Sequence, residues 1–323
     1  MSDYEALVEP LLEVLDLDDD GLRVAAIGGG TGLSRALRAI RHYTDEITAV
    51  VAVADDGGSS GRLAPALGIP PPGDLRNALL ALGGEESVWR DLLEYRFAAG
   101  DVAGHSLGNL IIAALSDVEG DFEEALEVVR RMLGARGAVV PATTVPIRLE
   151  ATVDGRSVSG QVAVALARGR LEALRIVPAD PPASPRAIEA LERADQIVLG
   201  PGSLYTSIAA CLLVPGVAAA VSASAADLVY VCNLVTQDGE TLGMDAADHV
   251  AALIEVAGIR APDVVVAHDG PVRPVGETGP VAVDRDRIAG LGSRLETADL
   301  ADQSAPVPLH DPVRLGAVLR RLA

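Results

Sequence analysis

The segment that most constrains the fold of this chain is residues 24–32. A short apolar run, residues 24–27, leads there into four glycines and a threonine, residues 28–32. Apolar side chains then recur at helical spacing at Leu33, Leu37 and Ile40, which predicts a helix. A strand that turns on glycines into a helix directs backbone N–H groups and the positive end of the helix dipole at one point, and this favours a phosphate group there. The predicted phosphate-binding residues are Gly28, Gly29, Gly30, Thr31, Gly32 and Leu33.

This glycine turn matches known phosphate-binding motifs only in part. Its spacing begins the G-x-G-x-x-G fingerprint of dinucleotide-binding folds, but Leu33 stands where the third glycine belongs. No Lys-Ser or Lys-Thr pair closes the turn into a Walker A loop. A second apolar run, residues 47–54, leads into Asp55, at about the distance from the turn at which an acidic residue binds a ribose hydroxyl. The alternative is a glycine turn with a purely structural role.

A second predicted strand and loop repeat this arrangement. Residues 196–199 are followed by a loop at 200–203 and by a predicted helix at 204–213. Gly202 permits close approach of the backbone to an anion, and nearby hydroxyl groups add hydrogen-bond donors. The residues predicted to bind ligand here are Gly200, Pro201, Gly202, Ser203, Tyr205 and Thr206. We predict that the two loops share one ligand in one crevice, and the alternative is that Ser203 only caps its helix.

The rest of the chain alternates predicted helices and strands, which is typical of a parallel sheet covered by helices on both faces. A final helix is predicted to begin at Pro312, with Asp311 as its cap. The other predicted helices are residues 3–17, 75–82, 88–97, 107–115, 122–133, 185–193 and 246–257. The other predicted strands are residues 228–232 and 263–267.

Between residues 147 and 177 the apolar period changes to two. Strands are predicted at 147–153, 157–165 and 171–177, and Asp154 with Gly155 predicts a type I′ turn between the first two. The sequence thus predicts a single Rossmann-like α/β domain, residues 1–323, with a mostly parallel, doubly wound sheet and a β-hairpin insertion at about 145–180.

Composition excludes several classes of partner. The 323-residue chain has a formal net charge of −20, and its 26 basic residues are all arginine without a basic run. Such a chain repels nucleic acids and anionic membranes. The most apolar window, residues 208–221, contains Pro215 and is too short for a membrane span. Because the start lacks a signal-peptide pattern, and Cys211 and Cys232 fit buried free thiols, we expect a cytoplasmic protein without membrane insertion.

An acidic pair follows the second predicted strand. Asp55 and Asp56 open a polar run that includes two further candidates, Ser59 and Ser60. Adjacent carboxylates point opposite ways from an extended chain, so one can meet a ribose while the other holds the loop. A Mg²⁺ ion held by Asp55 and Asp56 together with substrate phosphates also fits this composition. The alternative is a solvated acidic turn.

Further polar residues are candidates for the same site. Asp74 and Asn77 lie one helical turn apart, although capping of the following helix explains Asp74 nearly as well. His105 is a candidate general acid, base or phosphate donor, or a hydrogen-bonded structural histidine. The remaining candidates, of which the last three suit a base or sugar, are Asn109, Asn233, Thr236 and Gln237. The chain has no H-E-x-x-H or C-x-x-C pattern, which argues against zinc.

Together these segments resemble the YvcK-type gluconeogenesis factors. The similar blocks, in the same order, are IGGGTGL (27–33), VADDGGSSGR (53–62), PPGDLRN (71–77), GHSLGN (104–109), LGPGSLYTS (199–207) and VCNLVTQ (231–237). The resemblance implies a cytoplasmic bacterial protein that is needed for cell shape and wall synthesis on gluconeogenic carbon sources. It also implies binding of UDP-sugars such as UDP-N-acetylglucosamine, with no established reaction. Candidate protein partners are a second copy of the chain and cell-wall synthesis proteins. His268 departs from the pattern, which has Asn there.

The blocks are more distantly similar to CofD, the 2-phospho-L-lactate transferase of coenzyme F420 synthesis. The resemblance to CofD implies that Asp55 and Asp56 correspond to an Asp-Asp pair near the metal and the acceptor of that enzyme. Residues 57–62 instead follow the YvcK pattern. Two hypotheses follow: a non-catalytic nucleotide-sugar sensor and a Mg²⁺-dependent phosphotransferase. We favour the sensor because no residue set clearly supplies a nucleophile or base. The residues do not separate a UDP-sugar from an NAD(P)-like dinucleotide or a guanylyl compound as ligand.

Overall fold

The computed structural model describes residues 21–84 and 87–323, in which strands and helices alternate. The strands are β1 (Val24–Gly28), β2 (Ile47–Val51), β3 (Ala138–Pro141), β4 (Arg148–Val153), β5 (Arg156–Ser159), β6 (Leu171–Val177), β7 (Gln196–Leu199), β8 (Asp227–Val231), β9 (Val264–His268) and β10 (Arg294–Ala298). The predicted helix at residues 3–17 lies outside the described residues.

Helices follow most of these strands. They are α1 (Gly30–Ile40), α2 (Gly58–Leu67), α3 (Gly73–Leu82), α4 (Val88–Glu94), α5 (Leu107–Glu119), α6 (Phe122–Leu133), α7 (Gln161–Leu166), α8 (Pro185–Arg193), α9 (Leu204–Leu212), α10 (Pro215–Ala223), α11 (Ala246–Ala257), α12 (Arg285–Gly290) and α13 (Pro312–Arg321). The first part of α9, Leu204–Ala209, is π-helical. As predicted, Asp311 caps α13 by accepting from the N–H groups of Val313 and Arg314.

The main sheet has seven strands in the order β10-β9-β8-β7-β1-β2-β3, and each neighbouring pair is parallel. From β1 the chain proceeds through β2 and β3 to one edge, and from β7 it proceeds through β10 to the other. The order therefore reverses between β1 and β7. In open α/β sheets, ligands bind outside the carboxyl ends of the strands at such a switch point. The predicted α/β class with a doubly wound parallel sheet is confirmed.

Apolar composition explains why these strands lie in the middle of the molecule. Every residue of β1 and β7 is buried, as expected for central parallel strands covered by helices on both faces. Leu33, Leu37 and Ile40 of α1 are buried against one face of the sheet, as their spacing predicts. Cys211 and Cys232 are buried free cysteines, as expected from their apolar surroundings.

The predicted insertion is present as a separate three-stranded antiparallel sheet in the order β5-β4-β6. Asp154 (φ 47°) and Gly155 (φ 71°) have the two positive φ angles that a type I′ turn requires. The prediction of a strand across 157–165 is wrong beyond Ser159. Gly160, with φ 103°, ends β5, and the chain then forms the short helix α7.

Several other boundaries differ from the sequence prediction. The strand predicted at 47–54 ends at Val51, and the helix predicted at 88–97 ends at Glu94. The residues after the acidic pair, interpreted as a loop from the sequence, form α2, because burial of Ser59 and Ser60 outweighs the low helix propensity of glycine and serine. β3, β10, α10 and α12 had no sequence prediction. Within the described residues, no single helix is long and apolar enough to cross a membrane, and α9 with α10 passes that test only as a pair bent by 80°.

Candidate functional site

The two predicted glycine loops face each other at the switch point. An ideal Cβ placed on Gly32 would lie 2.3 Å from the carbonyl oxygen of Pro201 and 2.7 Å from the Cα of Gly202. No real side chain tolerates such distances to backbone atoms, so glycine at position 32 lets the loops pack backbone against backbone. Thr31 and Ser203 line the same cavity of about 300 Å³. The prediction that both loops open onto one crevice is confirmed.

The first loop presents an open helix N-terminus to this cavity. Gly29 is the N-cap of α1 and has no side chain to cap it, and the first turn of the helix holds no acidic residue. Asp74 accepts from the N–H of Gly30, so the N–H groups of Thr31 and Gly32 are the ones open to a ligand. Gly30, with φ 60°, adopts the left-handed conformation that favours glycine. Thr31 and Gly32 follow it along the cavity wall. Free N–H groups and the helix dipole therefore make this end of the cavity suited to an anion.

Charge on the cavity wall supports the same conclusion. Arg35 is the only aspartate, glutamate or arginine among the described residues that line the cavity. Its Nη1 lies 3.3 Å from Oδ2 of Asp302 and 3.5 Å from the carbonyl oxygen of His310, so it is held against the segment that precedes α13. In a chain with a net charge of −20, a wall with one cation and no carboxylate favours a negatively charged ligand.

The second loop differs from the first because a protein carboxylate already occupies the helix end beside it. Glu240 accepts a hydrogen bond from the N–H of Tyr205 (3.0 Å) and one from Oγ1 of Thr206 (2.5 Å), at the start of α9. Burial raises the pKa of Glu240 even though these hydrogen bonds oppose the shift. Tyr205 faces a different cleft, and its hydroxyl contacts Met244. The N–H groups at the start of α9 are therefore not open to a phosphate.

The other predicted residues of this region hold the second loop in place. Asn233 accepts from the N–H of Gly202 (3.1 Å) and donates to its carbonyl oxygen (2.8 Å). Gln237 donates to Oγ of Ser203 (3.0 Å), whose side chain does not cap α9, so the alternative reading of Ser203 as a simple cap is wrong. Thr236 pairs with Gly279 through its backbone and its hydroxyl. Asn233 and Gln237 line the cavity as well as fixing its wall.

A carboxylate pair lies behind the first loop. An ideal Cβ on Gly29 would lie 2.7 Å from Oδ2 of Asp74, and one on Gly73 would lie 3.1 Å from Oδ2 of Asp55. Asp74 accepts a hydrogen bond from the N–H of Gly30. Burial, and then the charge of Asp55, raises the pKa of Asp74 to about 6. The alternative reading of Asp74 as a helix cap is wrong, because α3 begins at Gly73 with no side-chain cap.

Asp56 points away from this pair, as expected for adjacent carboxylates on an extended chain. Its two oxygens accept from the N–H groups of Gln161 (3.0 Å) and Val162 (2.9 Å), so it caps α7 of the insertion. Asp55 accepts from the N–H of Gly57 (2.9 Å). Within the described residues, no group of three or more His, Cys, Asp or Glu side chains is arranged to hold a metal ion. A metal with two carboxylates and substrate phosphates fits Asp55 with Asp74 better than Asp55 with Asp56.

The remaining predicted residues form a polar network beside the carboxylate pair. Ser59 Oγ lies 3.1 Å from Nδ1 of His105 and accepts from the N–H of Ser106 (3.3 Å). Ser60 Oγ accepts from the N–H of Gly73 (3.1 Å) and from Nδ2 of Asn109 (3.4 Å). These hydroxyl groups join α2 to α3 and α5. His105 is hydrogen-bonded in this structure, which fits a structural histidine, and its role as a general acid, base or phosphate donor stays a prediction.

Arg76 is the member of this network that the sequence prediction missed. It is 7% exposed, and it donates to Oδ1 of Asn109 (2.9 Å) and Oδ1 of Asn77 (2.8 Å). Burial lowers the pKa of Arg76 to about 10, and Asp74 and Asp55 oppose that shift. The one available signal was an arginine among the apolar residues of α3. Arg35, Glu240 and His310 were missed as well, since only the folded chain brings them to the loops.

The raised pKa of Asp74 predicts a pH-dependent loss of stability. Its ordinary value is 3.8, so the folded chain holds the proton more tightly, and stability falls as pH rises through about 6. We expect Asp74→Asn to gain about 2 kcal/mol relative to the parent protein between pH 4 and pH 7.5, after allowance for partial exposure. Urea unfolding at both pH values checks this, with the exposed Asp117→Asn as control. An equal difference from the parent at both pH values would contradict it.

Comparisons with known proteins agree with this architecture. The sequence model of the 2-phospho-L-lactate transferase CofD family matches residues 24–301. The gluconeogenesis factor of Bacillus subtilis is 40% identical over 306 residues, which cover 92% of this chain and 96% of the relative. The gluconeogenesis factor of Halalkalibacterium halodurans is 41% identical over 278 residues, 83% of this chain and 86% of the relative. The chain belongs to the CofD-like gluconeogenesis factors.

A crystal structure supports this assignment at the level of the whole fold. A member of the UPF0052 family from Bacillus halodurans is 37% identical, with a TM-score of 0.87 that covers 93% of this chain and 98% of that protein. The resemblance seen in the sequence motifs is confirmed. The CofD family match includes both glycine loops and the Asp55–Asp74 pair of this chain, but it ends before the cavity residues Pro308, Leu309 and His310.

Proposed function

We propose that this gluconeogenesis factor binds a nucleoside diphosphate sugar, UDP-N-acetylglucosamine or a close analogue, and acts as a sensor that does not transform it. The observation that carries the proposal is the single cavity between the two glycine loops, with the open N-terminus of α1 at one end and Arg35 on its wall. A pyrophosphate is the anion that such a helix end and cation favour.

The remaining wall suits the rest of such a ligand. Apolar contacts come from Leu234, Val235, Pro308 and Leu309, and polar ones come from the side chains of Asn233 and Gln237. Pockets of this kind combine apolar surfaces with a few fixed polar groups that orient the ligand. The diphosphate lies at Thr31 and Gly32 in this proposal, and the base and sugar extend along the wall. An NAD(P)-like dinucleotide or a guanylyl compound shares the diphosphate, and competition between these ligands separates them.

Two observations favour a sensor over an enzyme. The carboxylate nearest the first loop, Asp74, lies behind Gly29 rather than in the cavity wall. Ser203, a hydroxyl on the wall, accepts from Gln237 and is hydrogen-bonded to Glu240, whose carboxylate also accepts from the N–H of Tyr205 and from Thr206 at the start of α9. We assign this hydroxyl and carboxylate to holding the second loop in place. We also propose a cytoplasmic location, no binding of nucleic acid and a role in cell shape and wall synthesis on gluconeogenic carbon sources, through a second copy of the chain or cell-wall synthesis proteins.

A Mg²⁺-dependent phosphotransferase is the second candidate. It is favoured by the CofD family match and by the Asp55–Asp74 pair, which lies against the glycine loop. In that case these two carboxylates would hold the ion with the ligand phosphates, and the ion would neutralise phosphate charge. Asp56 suits this role less well, because each of its oxygens already accepts an N–H of α7.

Titration calorimetry with UDP-N-acetylglucosamine, with and without Mg²⁺, tests the proposal. We expect saturable binding with a dissociation constant of about 1 µM, no chemical product after prolonged incubation, and less than about a threefold change in affinity for Asp55→Asn. The exposed Asp91→Asn serves as the matched control. Mg²⁺-dependent product formation that Asp55→Asn abolishes would establish the second candidate instead, and no binding at millimolar concentration would remove the sensor proposal.

A further inference from the structure

His310 lies on the cavity wall, in the segment between β10 and α13 that the CofD family match does not include. The residue is 5% exposed, so its ring is fixed by the surrounding protein. Nη1 of Arg35 lies 3.5 Å from its carbonyl oxygen, which ties the segment to the helix that starts at the first glycine loop. The ring is thus positioned at the same cavity as the anion-binding loop.

The hydrogen bonding of this ring fixes its tautomer. Nε2 of His310 lies 3.2 Å from the carbonyl oxygen of Cys232. A carbonyl oxygen only accepts, so Nε2 carries the proton and Nδ1 carries the lone pair when the ring is neutral. Burial lowers the pKa of His310 to about 3, and the nearby His268 and Arg35 act in the same direction. The ring is therefore neutral at physiological pH, and Nδ1 is an acceptor only.

This acceptor is left free for a ligand. Among the described residues, none donates a hydrogen bond to Nδ1 of His310, and this atom is not one of the polar atoms sealed from solvent without a partner. Since His310 lines the cavity, a ligand bound there lies next to this residue. His268 does not donate a hydrogen bond to Nδ1 of His310. Its own Nδ1 accepts from the N–H of Leu300, and its Nε2 has no partner among the described residues.

We propose that His310 determines nucleoside specificity, by accepting a hydrogen bond through Nδ1 from an imide N–H such as N3–H of uracil. The inference rests on the proposed function and deepens it. A base that presents a lone pair at the same position, such as N3 of cytosine, would face the Nδ1 lone pair and is rejected. A site that forms a hydrogen bond with one ligand discriminates strongly against an analogue that lacks the bonding group, because the polar group of the site is then left unpaired.

Paired titrations with UDP and CDP test the inference. We expect the intact protein to bind UDP about 100-fold more tightly than CDP, and His310→Gln to reduce this ratio below about threefold. Glutamine retains an N–H for the carbonyl of Cys232, but with that bond made its amide oxygen does not occupy the position of Nδ1 in the ring. Unfolding curves verify that the variant is folded. Equal ratios in the parent protein and the variant would overturn the inference.

Nitrogen NMR of the unaltered protein, labelled with ¹⁵N-histidine, tests the same inference without a substitution. The Nε2–H tautomer is expected without ligand, together with an upfield shift of His310 Nδ1 when UDP saturates the site. A protonated Nδ1, or an Nδ1 resonance that UDP does not move, would overturn this inference and leave the proposed function standing. Failure of UDP and UDP-N-acetylglucosamine to bind at millimolar concentration would overturn both.

Discussion

Gly32→Ala is expected to weaken binding of UDP-N-acetylglucosamine about 100-fold and to destabilise the protein by about 3 kcal/mol. The added Cβ would lie 2.3 Å from the carbonyl oxygen of Pro201, so the two loops must separate by about an ångström before the contact is tolerable. Both contacting groups are backbone, and neither can rotate away. Helix propensity acts in the opposite direction, since alanine is favoured over glycine in a helix by about 1 kcal/mol.

The matched control for this substitution is Gly290→Ala. Gly290 is also helical, in α12, and an ideal Cβ there meets no atom within 4 Å. We expect unchanged ligand binding and unchanged or slightly higher stability in urea unfolding. If Gly32→Ala binds ligand as the parent protein does, close packing of the two loops is not required for the site.

Arg76→Met is expected to cost about 3 kcal/mol of unfolding free energy. Methionine fills a similar volume but leaves the amide oxygens of Asn77 and Asn109 without their donor in a buried region. It also removes a cation that lowers the pKa of Asp74, so that pKa rises above about 6. The stability loss is measured by urea unfolding, and the pKa change by NMR titration of the Asp74 carboxyl group.

Arg131→Met is the control for this second substitution. The Arg131 side chain is 63% exposed and lies 3.8 Å from Glu127, so we expect its replacement to change stability by less than about 0.5 kcal/mol. A similar loss for both variants would mean that Arg76 contributes no more than a surface arginine, and the network around the carboxylate pair would lose its assigned role.

The sheet and the first loop were predictable because local sequence determines them. Residues 24–28 are small, apolar and followed by glycines, and central parallel strands need little more than that. Asp154 and Gly155 predict their turn because only a few residue types adopt two successive positive φ angles. In these places the local structure is determined by residues that are adjacent in the sequence.

Contacts between distant segments explain what the sequence did not reveal. α2 begins with glycines and serines of low helix propensity, and burial of Ser59 and Ser60 in the folded chain outweighs that preference. The amides of α9 look available from the sequence alone, but Glu240 reaches them from a segment 34 positions away from Thr206. Likewise the contact between the Asp56 carboxylate and α7 joins segments about 105 positions apart, which the sequence alone does not show.

The binding of one pyrophosphate between the two loops is tested most directly by a crystal structure of the protein with UDP-N-acetylglucosamine. We expect phosphate oxygens within hydrogen-bonding distance of the N–H groups of Thr31 and Gly32, with the second loop on the opposite side of the ligand. A diphosphate bound elsewhere, for example in the cleft of about 480 Å³ that Arg23, Arg130 and Arg193 line together with acidic residues, would contradict the account.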